Sequence, residues 1–488
     1  MADRLLTNVL SDFGGRLVHV FATGALLLLL TRTLGPDGYG VLALALSIFA
    51  LSRFFSESGV PWSGARYIAN NRIERPGRAV AAVYESGWLL LATAVGVSIA
   101  VAVFADELAG LLGEPALATP LFVGALLVAF RSIHQYNQVI LQGFEAIVET
   151  AKLHTIEGLL SLAFVATFVV YRPSPTAAVA GYALAYASGA IVGLFLLRRV
   201  VGELGVEPVD RRPIRRKILA YNVPLSVTRL SNEIDKEVDV VLVGLFAGPV
   251  QVAFYTIGKQ LSQLTRVPAT SIGFALSPSY GAERGTGAVE GATEIYQESL
   301  SKTLVLYVPA AVGIFVVAGV AIPTVFGGGY AGAVPIVQLL SLFVLFEAVE
   351  RITGPALDYL GRARARAILK MVTSLANLGL NLLLIPPFGA VGAAVATVIT
   401  YGTYAVGSVV VVYTELPFDY RAVAGTLAGV TAIAFGMGLV VYVLLGAIDV
   451  ASLALVVSIG GGIAVWSIAC HLTGLLDVRR ALTHIRGG

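Results

Sequence analysis

The chain is 488 residues long, 57% hydrophobic and only 13% charged, with a formal net charge of +3. Soluble domains carry about 25% charged residues, so this composition excludes a soluble enzyme or binding domain and indicates a polytopic membrane protein. The small net charge gives no basis for nucleic-acid binding, and the single cysteine, Cys470, excludes an intrachain disulfide.

About 20 apolar residues cross a bilayer. In chain order, spans are predicted at 13–32, 39–60, 79–104, 117–141, 151–171, 176–197, 218–245, 250–276, 300–322, 333–355, 365–386, 389–413, 421–446 and 450–472. The expectation is therefore an all-α protein with about fourteen transmembrane helices. The stretch Met1–Arg16 lacks the charged start, short apolar run and small-residue cleavage site of a signal peptide, in that order. The longest polar connections, Arg198–Lys217 and Ser277–Lys302, are too short for a soluble domain.

Lys and Arg in the loops set the orientation. With the N-terminus inside, and with charges within several residues of a span's end counted with the adjoining loop, 23 of the 33 Lys and Arg fall in inside segments, eight lie within spans, and only Arg32 and Arg172 face outside. Both termini are expected in the cytoplasm of a cell that carries the protein in its plasma or inner membrane.

An internal repeat follows. Sliding the chain by 213 residues sets Arg16 on Arg229, Gly35-Pro36 on Gly248-Pro249, Arg53 on Arg266 and Glu85-Ser86 on Glu298-Ser299. A slip to 218 sets Gly143 on Gly361 and Lys152 on Lys370. Six helices separate the copies, so they run in the same sense across the membrane. The expected organisation is an N-terminal lobe at 1–200, a cytoplasmic linker at 201–217, a C-terminal lobe at 218–413, and two additional helices with a tail at 414–488. Two pseudo-symmetric six-helix lobes would enclose a central cavity.

The seventh span carries Arg229, Glu233, Asp235, Lys236, Glu237 and Asp239 within eleven residues. Wound at about 100° per residue, these collect on one side, opposite Leu230, Ile234, Val238, Val241 and Leu245. Ionisable residues in spans are rare and line a pathway or pair with each other. Similar stripes hold Asp12, Arg16, His19 and Thr23 in the first span, Ser52, Arg53, Ser56 and Glu57 in the second, and Arg131, Gln135, Gln138 and Gln142 in the fourth. The eighth has Tyr255, Lys259, Ser262, Arg266 and Thr270, and the tenth has Glu347, Glu350 and Arg351. A charge at mid-bilayer costs roughly 3 kcal/mol on insertion scales, so these faces are expected to turn to a hydrated interior. Arg16, Arg53, Arg229 and Arg266 share the cytoplasmic half of their helices, and with Arg131 they suit a phosphate or diphosphate head group, which guanidinium binds in a fork. The competing reading pairs each with an acid one turn away, as Arg53 with Glu57 or Arg229 with Glu233.

No GxxxxGK[ST], HExxH or cysteine–histidine metal spacing occurs, so no catalytic role and no cofactor are expected. Asp239 lies on the polar side of the seventh span, and Asn377 and Asn381 share a helix face at i,i+4. Hard cations take such oxygen ligands.

Two stretches point to a family. One is Leu30-Thr31-Arg32-Thr33-Leu34-Gly35-Pro36-Asp37-Gly38-Tyr39-Gly40, leading to Gly59 and Ala65-Arg66-Tyr67-Ile68-Ala69; the other runs from Asn377 through Ile385-Pro386-Pro387-Phe388-Gly389 to Thr397. With Asp239-Val240-Val241-Leu242-Val243-Gly244 between them, the chain resembles the polysaccharide-transporter, or oligosaccharide flippase (Wzx-type), branch of the MOP exporter superfamily, over nearly its whole length. The resemblance implies two six-helix lobes, two extra helices and alternating access that flips a polyprenyl- or dolichyl-linked glycan from the cytoplasmic to the outer leaflet. From related lipid II flippases it implies diphosphate contacts at Arg16, Arg53 and Arg266, and a coupling cation, Na+ or H+, near Asp239, Asn377, Asn381 and Thr397. Partners would be the lipid-linked glycan, membrane lipid, and the glycosyltransferases or polymerase of the same pathway. The alternatives are a multidrug–cation antiporter of the same superfamily, a lipid II flippase, and a non-transporting scaffold for glycan-assembly enzymes.

Overall fold

The structure is a computed structural model that describes the backbone of residues 2–202, 204, 212–265 and 289–475, and side chains at 20–202, 204, 213–222, 236–265 and 289–475. Among the described residues all regular structure is helical. The α-helices are α1 (Ala2–Glu57), α2 (Val60–Asn71), α3 (Pro76–Val103), α4 (Ala105–Leu111), α5 (Ala118–Gly143), α6 (Ile147–Tyr171), α7 (Pro175–Gly202), α8 (Arg212–Ala247), α9 (Pro249–Leu264), α10 (Val289–Phe326), α11 (Val334–Tyr359), α12 (Ala363–Phe388), α13 (Ala390–Glu415), α14 (Tyr420–Ala447) and α15 (Ala451–Leu472). Eleven stretches of the described residues are long and apolar enough to cross a membrane. One of them, Val20–Glu57, holds parts of both of the first two predicted spans. α1 breaks at Gly35, whose φ of 65° and ψ of 179° are non-helical. Pro36 explains the break, since it offers no N–H and disfavours helical geometry in the residue before it.

The chain divides into two compact units, Met1–Ala253 and Phe254–Gly488. In the N-terminal unit α5 and α6 both pack on α7, α1 packs on α6, and α3 packs on α5. α8 lies against α1, α2 and α3, and Ser63 Oγ of α2 donates to Asn222 Oδ1 of α8 at 3.2 Å. In the C-terminal unit α11 and α12 both pack on α13, α10 packs on α11, and α14 packs on α10 and α15. There Tyr296, fully buried, pairs its hydroxyl with Thr353 at 3.1 Å.

The two units repeat one scheme, with α5, α6 and α7 answering to α11, α12 and α13. Left-handed joints recur at matching places: Gly35 and Gly248 (φ 65° and 80°), Gly113 and Gly327 (66° and 107°), Glu145 and Gly361 (58° and 76°). The turn after α5 and the turn after α11 also share their bonds. Ala146 N donates to Leu141 O at 2.9 Å and Arg362 N to Leu357 O at 2.8 Å, while Glu145 N reaches Gln142 O and Gly361 N reaches Asp358 O. The register at this turn is thus 216, which aligns Glu145, not Gly143, with Gly361 and corrects the offset of 218 read from the sequence.

Candidate functional site

The polar residues of the N-terminal unit collect where α1, α5, α6 and α7 meet. Arg53 and Glu57 occupy one face of α1 at i,i+4, with Arg53 Nη1 3.7 Å from Glu57 Oε1 and their side chains 18% and 10% exposed. The pair that α1's own spacing suggested therefore forms. Ser56, between them, is fully buried and donates to Ser132 Oγ of α5 at 2.8 Å. That bond fixes α1 against the helix turn that carries Arg131. The Arg131 guanidinium lies over the Tyr186 ring of α7, 5.0 Å from its centre. Glu157 and Glu57 both act on its charge through space, and Arg53 as well as Arg131 acts on the Tyr186 hydroxyl. Two cations and two carboxylates thus share one region of a single unit.

Glu157 is the centre of this group, and the sequence reading passed over it. Its Oε1 accepts from Tyr186 Oη at 3.1 Å and its Oε2 from Gln138 Nε2 at 3.1 Å. His134 Nε2 stands 3.2 Å from Oε2 and His154 Nδ1 3.9 Å. Small residues permit the approach. A Cβ at Gly189 would come 2.8 Å from His134 Nδ1, and one at Gly193 would come 2.7 Å from Asn137 Nδ2. The signal was present in the sequence as His154 and Glu157, one turn apart in the fifth span, but no stripe extended it.

The remaining expected residues divide by position. In α8, Lys236 is exposed, Asp239 is buried, and Glu237 accepts from Ser47 Oγ of α1 at 2.8 Å. The side chains of Arg16, Arg229, Glu233 and Asp235, and all of Arg266, lie outside the described residues. Lys259 lies on α9, half-buried. In α11, buried Glu347 pairs with Arg351 at 3.2 Å. Glu350 instead finds Arg366 of α12, at 3.4 Å, and Arg366 also holds Asp358 at 2.6 Å. Lys370 stands 4.6 Å over the ring of Tyr401. With the register of 216, His134, His154 and Glu157 correspond to Glu350, Lys370 and Thr373, and at 215 Tyr186 corresponds to Tyr401. The same three-helix seat is polar in both units, with different charges.

Of the expected cation ligands, Asn381 Nδ2 donates to Asn377 Oδ1 at 2.9 Å, Asn377 Nδ2 to Thr400 Oγ1 at 3.1 Å, and Thr397 Oγ1 lies 3.2 Å from Tyr255 Oη. These are neutral oxygens of the kind an alkali cation accepts. The one carboxylate of the set, Asp239, belongs to the other unit. Among the described residues no group of three or more His, Cys, Asp or Glu side chains could hold a metal ion.

A chain of long apolar helices with a repeated helical plan and charged seats inside its units belongs to the class of polytopic membrane proteins. Solved structures agree on the fold. A lipid II flippase, MurJ, in an inward closed conformation matches 96% of this chain and 98% of its own, with a TM-score of 0.76 at 16% identity. An inward-facing multidrug resistance MATE family transporter of the MOP superfamily matches 84% and 94%, with a TM-score of 0.65 at 15% identity. The sequence model of the polysaccharide biosynthesis protein family matches residues 6–280, and that of the MatE family matches 224–386. The chain belongs to the polysaccharide biosynthesis protein family. Among relatives, a probable low-salt glycan biosynthesis flippase, Agl15, of Haloferax volcanii is 24% identical over 38% of this chain and 39% of its own. A probable flippase of the same organism, AglR, is 29% identical over 33% and 34%. The chain thus spans between a third and two fifths of these two relatives. A putative O-antigen transporter of Shigella flexneri is 22% identical over 75% of this chain and 88% of its own.

Proposed function

We propose that this protein is a flippase, not an enzyme, that carries a lipid-linked oligosaccharide from the cytoplasmic to the outer leaflet by alternating access between lobes at 1–200 and 218–413. The observation that carries the reading is the pair of guanidinium groups, Arg53 and Arg131, on neighbouring helices inside the span region of one unit. Each has a carboxylate near enough to act on its charge, and both residues are partly exposed. A forked cation in surroundings of low dielectric holds a phosphate more firmly than in water. Arg16, Arg229 and Arg266 would add to this site from α1, α8 and the segment after α9. The lipid tail would stay in the bilayer while the sugar head group crosses. Family membership and the flippase names of the relatives support the reading.

Both termini would lie in the cytoplasm, and the enzymes that build the glycan would be the pathway partners. The coupling ion would be Na+ or H+, with Asp239, Asn377, Asn381 and Thr397 as candidate ligands. Asp239→Asn should then weaken ion-dependent transport at an unchanged protein level, and unchanged ion dependence would retire that site. The function itself is tested by deletion. Lipid-linked glycan should accumulate on the cytoplasmic face of the membrane, and its normal appearance outside would contradict the proposal.

A further inference from the structure

Glu157 is not itself a head-group ligand in that reading, yet it accepts from two side chains and stands beside two imidazoles. The Gln138 amide nitrogen has two hydrogens and three polar neighbours: His134 Nε2 at 2.9 Å, Glu157 Oε2 at 3.1 Å and His154 Nδ1 at 3.3 Å, of which each imidazole nitrogen accepts only in the tautomer that leaves it without a proton. Two hydrogens serve at most two of the three as simple bonds. The contact of His134 Nε2 with Glu157 Oε2, at 3.2 Å, needs a hydrogen of its own, carried either by the imidazole or by the carboxyl. The His134 side chain is 2% exposed, that of Glu157 12% and that of His154 26%, so the buried pair is joined to the surface through a second imidazole.

Charged and titratable groups that act on Arg131 or Tyr186, next to the pair, are Arg53 and Glu57 from α1, Glu157 itself, and Tyr182 from α7. Arg131 is the cation placed to answer both Glu157 and an incoming phosphate. The matching seat in the C-terminal unit holds no acid at this position. Thr373 replaces Glu157 and bonds back to Leu369 O and Lys370 O at 2.9 and 3.1 Å.

We propose that the His134–Glu157 pair is a proton-binding site whose occupancy is linked to phosphate binding at Arg131. The linkage rests on the head-group reading; the proton site does not. Ionised Glu157 and a phosphate compete for one guanidinium. A proton taken up from solvent by the pair removes the competitor, so proton and phosphate each tighten the binding of the other. Tyr186 joins the two sites, with its ring under Arg131 and its hydroxyl on Glu157.

Sulfate tests the linkage, because its own charge is constant from about pH 5 to about pH 8. The readout is the rise in Tm that sulfate gives the full-length purified protein over chloride at equal ionic strength. The wild type should show a rise several-fold larger at the acid end, Glu157→Gln a rise equal at both ends, and Arg131→Ala none. A wild-type rise independent of pH, or a pH dependence that survives Glu157→Gln, overturns the linkage and leaves the head-group reading standing. No sulfate effect at any pH overturns the head-group reading and the linkage with it. The proton site is then decided by infrared spectroscopy. A carboxyl C=O band that grows on acidification and is missing in Glu157→Gln supports it, and its absence from the wild type overturns it. If Glu157→Gln does not fold, calorimetry of the wild type in buffers of different ionisation enthalpy replaces it. Uptake of about one proton per sulfate bound supports the linkage, and no uptake overturns it.

Discussion

The Arg131 guanidinium carbon stands 5.0 Å from the centre of the Tyr186 ring, a cation–π contact made by the face of the group and not by its N–H donors. Such a cation can exchange its electrostatic partners for a phosphate without first leaving its seat. Arg131→Ala should reduce head-group binding by about ten- to hundredfold, the range that follows from losing a charge-assisted hydrogen bond of about 1.5–3 kcal/mol. Arg131→Lys should restore part of it, since the charge stays and the fork is lost. Arg53→Ala differs, because Glu57 loses its neighbour; the amount of folded protein should fall along with transport, which quantitative blotting against a transport assay separates. Gly189→Ala is a third case. Its Cβ would meet His134 Nδ1 at 2.8 Å in the close contact of α5 and α7, and a lower yield of folded protein with a shifted Glu157 seat is expected. Arg53 and Glu57 were legible together in the sequence because a helix places i and i+4 side by side. Glu157 with His134, and Glu350 with Arg366, were not, because those pairs cross between helices and depend on packing that periodicity does not encode.

At the scale of elements, the repeat was legible and its register was not. Gly35-Pro36 and Gly248-Pro249 stand out as a dipeptide that ends a helix, and both glycines adopt positive φ. The second turn hides because its two copies solve the same geometry with different residues. Glu145 takes φ 58° where the other unit uses Gly361 at φ 76°, and Glu145 is also tied to Arg72 by an ion pair. Gly361→Ala should therefore cost about 1–2 kcal/mol for a left-handed Cβ and lower Tm by a few degrees in a thermal melt, whereas an unchanged Tm would mean that the turn relaxes. α8 taught a different lesson. Its charges made it the most unusual span in the sequence, and it is nevertheless a continuous helix, Arg212–Ala247, seated on α1, α2 and α3. Glu237 is satisfied by Ser47 of α1, so part of its ionic side turns to protein.

For the whole molecule, the charge asymmetry of the loops makes a firm demand on topology. Reporter fusions after Gly113 and Gly328 should read outside, and those after Arg212 and Arg364 inside; an inside signal at Gly113 or Gly328 would break the assignment of spans. The all-helical fold and the duplicated plan could be read from length, hydropathy and repeat. The substrate could not, because none of the motifs in the chain is particular to one sugar.

The central claim is that the protein moves a phosphate-bearing glycolipid and that Arg53 and Arg131 hold its head group. Its most direct test is translocation of a polyprenyl-phosphate-linked oligosaccharide by the purified protein in liposomes, read as protection of the sugar from an enzyme added outside. The wild type should translocate, Arg131→Ala should fall to the level of empty liposomes while remaining folded, and Arg131→Lys should lie between. Translocation at the wild-type rate by folded Arg53→Ala and Arg131→Ala together would contradict the account.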